Sequence, residues 1–422
     1  MNEQVNTSSS SVNMTGSAIH WSSVIQLGFS LLGTLSLWGV AATLFLGGFL
    51  QLVSQGSSSD AVLQYFLLAG GAALCGTLLL PGSIHAFRRL AGHPPRPIVS
   101  FPSWLRPTLL IFLLPLLLLF GHWVNQQDQI AWLILPIVHG LSIGLPILWF
   151  VYLAIRNLSA GSPQRQWGVF STGLVLAPVL SFFIEIFVIL FLILAWSAWA
   201  TTQPDLLRDL TNLAQRLEQA RVSPEEVLRI LEPYIASPVV LFAILSVFSV
   251  LVPLIEETIK PLGVWMLANR KLSPAQGFAA GVLSGAGFAL AESLALSSTG
   301  EDWALAVFTR IGTGALHILA SGLVGWGLAR AWGERKFLQL AATYLLAVFL
   351  HSIWNTLSIL LAMSYLPEIL TDLDLIQLPD IQGEIIPYLL VLLAFTAFLS
   401  LLGINRGLKH RDDDHFIPQD VV

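Results

Sequence analysis

Long apolar runs, separated by short polar connections, dominate the chain. A helix needs about 20 consecutive apolar residues to cross a hydrocarbon core of about 30 Å. Ten runs meet this requirement: residues 24–53, 61–87, 107–124, 130–154, 168–200, 238–268, 274–297, 303–329, 336–365 and 386–404. The pattern predicts an all-α polytopic membrane protein with about ten transmembrane helices, which we number as spans 1 to 10 in chain order.

Three of these runs are longer than a bilayer requires, and they belong to spans 1, 5 and 6. A helix of that length must tilt, protrude or break. Pro178 in span 5 and Pro253 in span 6 are the expected break points, because proline has no N–H and clashes with the preceding helical turn.

Basic residues alternate from one short connection to the next, apart from the long connection at 201–237. The connections SQGSSSD, NQQDQ and STGED, and the acidic stretch PEILTDLDLIQLPDIQGE, contain no Lys or Arg, whereas every connection after an even-numbered span contains several. Because cytoplasmic loops are enriched in Lys and Arg, this alternation predicts that both termini are cytoplasmic. The polar start of the chain lacks a basic signal-peptide region, so we expect span 1 to act as the insertion signal of a multi-pass plasma-membrane protein.

One connection is long enough to hold structure of its own. Residues 203–234 predict two amphipathic helices, and in the first of them four leucines fall on one face: Leu206, Leu210, Leu213 and Leu217. The second begins with a capping box at residues 223–226. This segment is either a structured external loop or a lid that lies on the membrane surface beside the functional spans.

We divide the chain into six parts on this basis. They are a disordered polar N-terminus (1–23), a five-helix N-terminal membrane region (24–200), an extracytoplasmic amphipathic helical loop (201–237), a four-helix core (238–365), an acidic extracytoplasmic loop (366–385), and a last membrane helix with a charged cytoplasmic tail (386–422).

Composition supports the membrane interpretation and narrows the partners. The chain is 55% hydrophobic and only 11% charged, whereas a soluble domain is about 25% charged. The lipid bilayer is therefore the expected surroundings, and a net charge of −5 indicates no nucleic-acid partner. The single cysteine, Cys75, excludes an intrachain disulfide.

Spans 6 to 9 contain a group of polar residues in otherwise apolar sequence. The segments are EETIK (256–260), FALAE (288–292), RIGTGALHILAS (310–321) and HSIWN (351–355). A rise of about 1.5 Å per residue places their carboxyl and imidazole groups at similar depth, although the helices run in alternating directions. Ionisable groups inside a membrane are costly and usually functional, so we predict that these residues form one site.

Several of these residues also have a structural interpretation. Lys260 could simply neutralise Glu256 or Glu257, and Arg310 could form an ion pair with Glu292. Ser321 and Asn355 are of the type that forms hydrogen bonds between helices. Span 7 has glycines at positions 277, 281 and 285, which predict a close-packing face. Glu185 and His139 are isolated intramembrane residues for which we expect structural or substrate-path roles.

The polar groups suit hydrolysis of an amide. A carboxylate and a histidine can activate water as general base and acid, and a second histidine with an asparagine can donate hydrogen bonds to an oxyanion. The same groups could instead hold a zinc ion with a bound water. No HExxH helix is present to specify a metal, and no phosphate-binding loop, flavin or haem motif occurs.

The motifs EExxK, FxxxE, RxxxxxxHxxxS and HxxxN, in this order on four successive spans, resemble the PrsW family of intramembrane proteases over residues 240–365. The resemblance implies hydrolysis of a peptide bond in a membrane-anchored protein substrate of the anti-sigma-factor type. The catalytic residues that it implies are Glu256, Glu257, Glu292, His317, His351 and Asn355. The supporting residues are Lys260, Phe288, Arg310 and Ser321.

The related CAAX proteases differ in two of these motifs, having EExxxR and FxxxH. Lys260 and Glu292 therefore favour the PrsW family over prenyl-protein processing. They also leave the mechanism open between two forms. In one, Glu256 or Glu257 activates water, His317 and Glu292 assist, and His351 and Asn355 stabilise the oxyanion. In the other, a divalent metal such as zinc is bound, with these candidate ligands: Glu256, Glu292, His317 and His351.

Two alternative functions remain open from the sequence. The first is a CAAX-type peptide-processing protease that acts near the cytoplasmic face. The second is a non-enzymatic, ion-coupled transporter with a relay through four charged residues: Glu257, Lys260, Arg310 and Glu292. Transporters often contain two repeated halves, and the first half of this chain has no mirrored motif.

Overall fold

A computed structural model of the chain describes residues 20–55, 59–93, 107–219, 237–296, 298–364 and 381–414, with four isolated positions between 227 and 234. These residues contain no β-strand, and ten of their helices are long and apolar enough to cross a membrane. The predicted all-α fold with ten spans is confirmed, whereas the cytoplasmic location of the termini stays a prediction. The capping box at 223–226 and nearly all of the polar N-terminus and acidic loop lie outside the described residues.

The spans agree with the predicted runs to within a few residues. They are Trp21–Ser54, Asp60–Leu90, Pro107–Asn125, Ala131–Ile155, Pro163–Ala200, Pro238–Trp265, Pro274–Ala295, Trp303–Glu334, Phe337–Met363 and Ile385–Lys409. Span 5 begins earlier than hydropathy predicts, because Ser162 accepts a hydrogen bond from the N–H of Arg165 and Pro163 occupies the first helical position. The helix of span 10 extends over Ile381–Asp414.

Spans 5 and 6 break at the predicted places. Span 5 has a π-helical turn at Thr172–Leu176 directly before Ala177 and Pro178, and span 6 has one at Val247–Leu251 directly before Val252 and Pro253. Proline removes one backbone donor and its ring pushes the preceding carbonyl away, so the helix widens by one residue there. Span 6 breaks again at Pro261, between the helices Val252–Ile259 and Leu262–Trp265.

The first predicted amphipathic helix is present at Pro204–Gln219. Within it, only the four leucines of the predicted face are partly covered, namely Leu206, Leu210, Leu213 and Leu217, and all other positions are exposed. The predicted face is therefore confirmed. Most of the second predicted helix lies outside the described residues.

Spans 7 and 8 form the centre of the molecule. In span 7, 78% of the most apolar 18-residue stretch is buried, and in span 8 the figure is 83%. The predicted glycine face of span 7 packs against span 8: a Cβ added to Gly285 would lie 2.7 Å from the carbonyl oxygen of His317, and one added to Gly281 would overlap the backbone of Ser321. This close approach brings residues of the two spans within hydrogen-bonding distance.

The N-terminal spans pack directly on this centre. Gly173, in the π turn of span 5, lies against the backbone of Ser284 in span 7. Gly287 of span 7 in turn approaches the backbone of Phe170. A side chain at either glycine would force the two helices apart. Span 5 is therefore held against the same helix that carries Phe288 and Glu292.

Candidate active site

Lys260 lies at the centre of a cluster of polar side chains, and its own side chain is fully buried. Its Nζ is 2.6 Å from Oε1 of Glu257 and 2.8 Å from Oε2 of Glu256. The same Nζ is 2.9 Å from Nδ1 of His317 and 3.2 Å from Nδ1 of His351. One ammonium group therefore joins residues of spans 6, 8 and 9, and a buried charge of this kind persists only with such partners.

The break at Pro261 explains how Lys260 is fixed. The chain leaves the helix there, so the Lys260 carbonyl is free, and Ser284 Oγ of span 7 donates a 2.6 Å hydrogen bond to it. Span 7 also supplies Phe288, whose ring centroid lies 4.9 Å from the ammonium group. This is a cation–π contact. Backbone and side chain of Lys260 are thus both held by neighbouring spans.

His317 connects Lys260 to a second ion pair. Its Nε2 lies 2.7 Å from Oε2 of Glu292, and Oε1 of Glu292 lies 3.1 Å from the guanidinium of Arg310. Since the Lys260 ammonium can only donate, Nδ1 of His317 accepts and its Nε2–H donates to Glu292. The series of polar contacts from Arg310 through Glu292 and His317 to Lys260 therefore fixes the orientation of the His317 imidazole.

His351 lies between the paired glutamates. Its Nδ1 is 2.9 Å from Oε1 of Glu257, and its Nε2 is 3.7 Å from Oε2 of Glu256. The second distance is too long for a direct hydrogen bond, but a water molecule could bridge the two atoms. The rings of His317 and His351 meet edge to face at 5.1 Å.

The remaining two predicted site residues lie outside this network. Asn355 Nδ2 donates a 2.9 Å hydrogen bond to the carbonyl of Phe248. In the π turn this carbonyl would be paired with residue 253, which is a proline and has no N–H, so Asn355 supplies the missing donor. Ser321 Oγ is buried and has no hydrogen-bond partner among the described residues.

The structure thus brings together eight of the ten residues that the sequence singled out and adds one that it did not. The eight are Glu256, Glu257, Lys260, Phe288, Glu292, Arg310, His317 and His351. Ser284 was missed, because a serine in an apolar helix gives no signal by itself. The one signal in the sequence was Pro261, because a proline at that position can end the helix and leave the Lys260 carbonyl without its helical partner.

One edge of the cluster is open. The side chains of Glu257 and Lys260 are fully buried, whereas Glu256 is 12% exposed, Glu292 is 23% exposed and Arg310 is 25% exposed. A substrate or water molecule would therefore approach from the side of these three residues. His139 is not part of the cluster, since it is buried beside Trp303 with their rings 6.4 Å apart.

Three of these residues could also hold a metal ion. Ligand atoms of Glu256, His317 and His351 lie within 4.8 Å of one another, and one carboxylate with two imidazoles is a donor set of catalytic zinc. The Lys260 ammonium, however, lies 2.8 to 3.2 Å from an atom of each of them. In this arrangement the residues fit their own ammonium group, and a metal at the same place would have to displace it.

Residues 226–378 match the family model described as PrsW family intramembrane metalloprotease. This segment is a PrsW-family domain. It contains spans 6 to 9 and all four motifs, and a domain of this family indicates a membrane peptidase. Spans 1 to 5 lie outside the PrsW domain. No curated protein and no solved structure matches the chain significantly.

Proposed function

We propose that the protein is an intramembrane endopeptidase that hydrolyses a peptide bond in or near the membrane segment of a membrane-anchored protein. The family resemblance suggests a substrate of the anti-sigma-factor type. The observation that carries this proposal is the Lys260-centred cluster, which lies within the PrsW domain and is open at Glu256. Its carboxylates and imidazoles have the chemistry needed to activate water.

The hydrogen-bonding capacity of the cluster leaves a place for that water. Lys260 has three N–H groups, and its three nearest acceptors belong to Glu256, Glu257 and His317. His351 then donates its Nδ1–H to Glu257, which leaves its Nε2 as an acceptor. Two acceptors, His351 Nε2 and Glu256 Oε2, face each other across 3.7 Å. A single water molecule can donate one hydrogen to each.

Hydrolysis follows from this arrangement. Glu256 removes a proton from the water while the water oxygen attacks the peptide carbonyl carbon. The protonated Glu256 then gives this proton to the leaving amide nitrogen as the carbon–nitrogen bond breaks, so that one water is consumed and one acid and one amine are formed. Arg310 retains N–H groups beyond the one already engaged and can donate to the oxyanion. The predicted oxyanion role of Asn355 is not part of this proposal, because its amide is bonded to the Phe248 carbonyl outside the cluster.

In this proposal the positive charge beside the reacting atoms comes from Lys260. Glu257 holds both Lys260 and His351, and Glu292 holds His317, so these two carboxylates orient the cluster. The predicted metal-ligand role of Glu292 is not favoured, because Arg310 and His317 engage both of its oxygens. No step in this scheme passes through a metal.

The decisive experiment uses the purified protein in liposomes with synthetic single-span peptides, and products are identified by mass spectrometry in H₂¹⁸O. We expect one ¹⁸O atom in the new carboxyl group of each cleaved product. Glu256→Gln should reduce the cleavage rate by about three orders of magnitude, because general-base catalysis contributes about 10²–10⁴-fold. Glu218→Gln, on the exposed helix Pro204–Gln219, is the matched control. Wild-type cleavage by Glu256→Gln would overturn the proposal.

A second experiment separates the lysine-based scheme from a metal-based one. Metal content is measured on the folded protein, before and after dialysis against a chelator, together with cleavage. We expect less than one tightly bound metal per chain and no loss of cleavage after dialysis. One stoichiometric zinc that leaves together with activity would contradict the role given to Lys260.

A further inference from the structure

Glu185 is an acidic side chain of span 5, outside the PrsW domain, on the helix that packs against the helix carrying Glu256. Its carboxyl group interacts electrostatically with Glu256, Lys260 and Glu292. Its Oε1 atom is buried and has no hydrogen-bond partner among the described residues. A buried acceptor that remains unpaired calls for a donor that comes from elsewhere.

The packing of span 5 explains this position. The helix Ala177–Ala200 follows the π turn of span 5 and packs against the helix Val252–Ile259, which carries Glu256. The neighbours of Glu185 along the same helix face outward, since Phe183 is 64% exposed and Phe187 is 71% exposed. Glu185 is therefore the acidic exception in a helix that is otherwise suited to lipid and that packs against the helix of Glu256.

A membrane-embedded peptidase faces a particular difficulty with its substrate. The backbone N–H groups of a transmembrane helix are bonded within the helix, and cleavage requires a local extended segment. Each N–H freed by unwinding and left unpaired in the hydrocarbon region costs several kcal/mol. The enzyme must therefore offer acceptors near the scissile bond.

Few acceptors of the cluster can serve this purpose. Glu257 is fully buried, and the oxygens of Glu292 are engaged by Arg310 and His317. Glu256 is required for the water in the proposed mechanism. Glu185 is a half-buried residue within electrostatic range of the cluster, and its Oε1 has no hydrogen-bond partner among the described residues.

We propose that Glu185 binds the substrate, with its Oε1 accepting a hydrogen bond from a backbone N–H that is freed where the substrate helix unwinds beside the scissile bond. This inference rests on the peptidase function proposed above. It assigns span 5 a direct part in substrate recognition, which the PrsW domain alone does not contain.

The test compares three variants in liposomes with one cleavable single-span peptide, and KM is expressed as the mole fraction of peptide in lipid. Glu185→Gln keeps a carbonyl acceptor of the same reach, so we expect kcat and KM within about threefold of wild type. Glu185→Leu removes the acceptor, so we expect KM to rise about tenfold, as the loss of one net hydrogen bond implies, with kcat within about twofold. Phe183→Leu is the lipid-facing control on the same helix and should leave both unchanged.

A double-mutant cycle identifies the partner. Ester bonds replace single amides of the peptide at positions flanking the scissile bond, which removes one N–H at a time. At one position the ester should raise KM about tenfold for the wild type and have no further effect on Glu185→Leu. Unchanged KM for Glu185→Leu, an equal defect for Glu185→Gln, or an ester effect that persists in Glu185→Leu would each overturn the inference. Glu256→Gln, tested in parallel, reports separately on the peptidase proposal.

Discussion

Spans 5 and 8 show opposite relations between composition and burial. Span 5 is among the most apolar spans, yet only 6% of its most apolar 18-residue stretch is buried in the protein. Span 8 shares the lowest hydropathy of the ten spans that the structure describes, yet 83% of the corresponding stretch is buried. In a soluble protein, by contrast, the more apolar of two helices would be the more buried one.

The reason is that lipid is as apolar as leucine, so large apolar side chains gain nothing by leaving it. Span 8 is instead held at the centre by its close approach to the glycines of span 7 and by hydrogen bonds of His317. Small and polar residues therefore mark the inside of this protein, and bulky apolar ones mark its lipid-facing surface.

The variant with the largest expected effect removes the central ammonium group of Lys260. Lys260→Met should lower the free energy of unfolding by about 3–5 kcal/mol, because it leaves buried carboxylates without their cation. Cleavage should also be lost. Unfolding in mixed detergent micelles measures the first effect, and the liposome assay measures the second.

An exposed ion pair provides the control for Lys260. Arg208 lies 3.9 Å from Asp205 on the surface helix, and both side chains are largely exposed, so Arg208→Met should change stability by less than about 1 kcal/mol. Adding Glu257→Gln to Lys260→Met should recover part of the lost stability. Equal stability of Lys260→Met and wild type would show that the cluster does not hold the spans together.

A smaller effect is expected from one methyl group at the interface of spans 7 and 8. Gly281→Ala should destabilise the protein by about 1–3 kcal/mol, because the new Cβ would overlap the backbone of span 8. Gly39→Ala in span 1 should not destabilise the protein and could stabilise it by up to about 1 kcal/mol, since nothing lies within 4 Å of the added group and alanine favours the helix. Similar effects of the two variants would contradict the contrast between inner and outer spans.

The smallest effect concerns the break in span 6. Asn355→Leu should cost about 1–2 kcal/mol of stability, because the Phe248 carbonyl loses its donor. We also expect kcat to fall about tenfold, in line with roughly 1.4 kcal/mol of lost transition-state stabilisation, since Glu256 follows on the same helix.

Asn405 offers a matched control, because it donates 2.8 Å and 3.0 Å hydrogen bonds to the carbonyls of Ala154 and Arg156 in another part of the protein. Asn405→Leu should reduce stability to a similar extent and leave kcat unchanged. If Asn405→Leu lowered kcat as much as Asn355→Leu does, the link between the break in span 6 and Glu256 would be disproved.

The sequence of this protein predicted best the structural features that depend on periodic spacing of residues. Hydropathy predicted the ten spans, helical spacing predicted the leucine face at 206–217, and the glycine spacing predicted a close-packing face on span 7, which the structure places against span 8. Proline chemistry located the breaks at Pro178 and Pro253, whereas the second break in span 6, at Pro261, was not predicted.

The site was harder to predict, because it depends on which side chain reaches across helices. Helical spacing paired Lys260 with Glu256 and Glu257, and nothing in it showed that the same ammonium also contacts His317 and His351. The contact of Asn355 with a backbone carbonyl needed the geometry of the π turn, which no residue pattern displays.

The π turn in span 6 makes the position of Glu256 depend on a single residue. Each residue of an α-helix advances the chain by about 100° around the axis, since 3.6 residues complete one turn. Val247–Leu251 accommodates one residue more than a regular turn would. Deleting one residue of this turn would keep every catalytic side chain but would rotate the preceding helix by about 100° relative to Glu256. A one-residue deletion here would therefore disturb the site as surely as the loss of Glu256 itself.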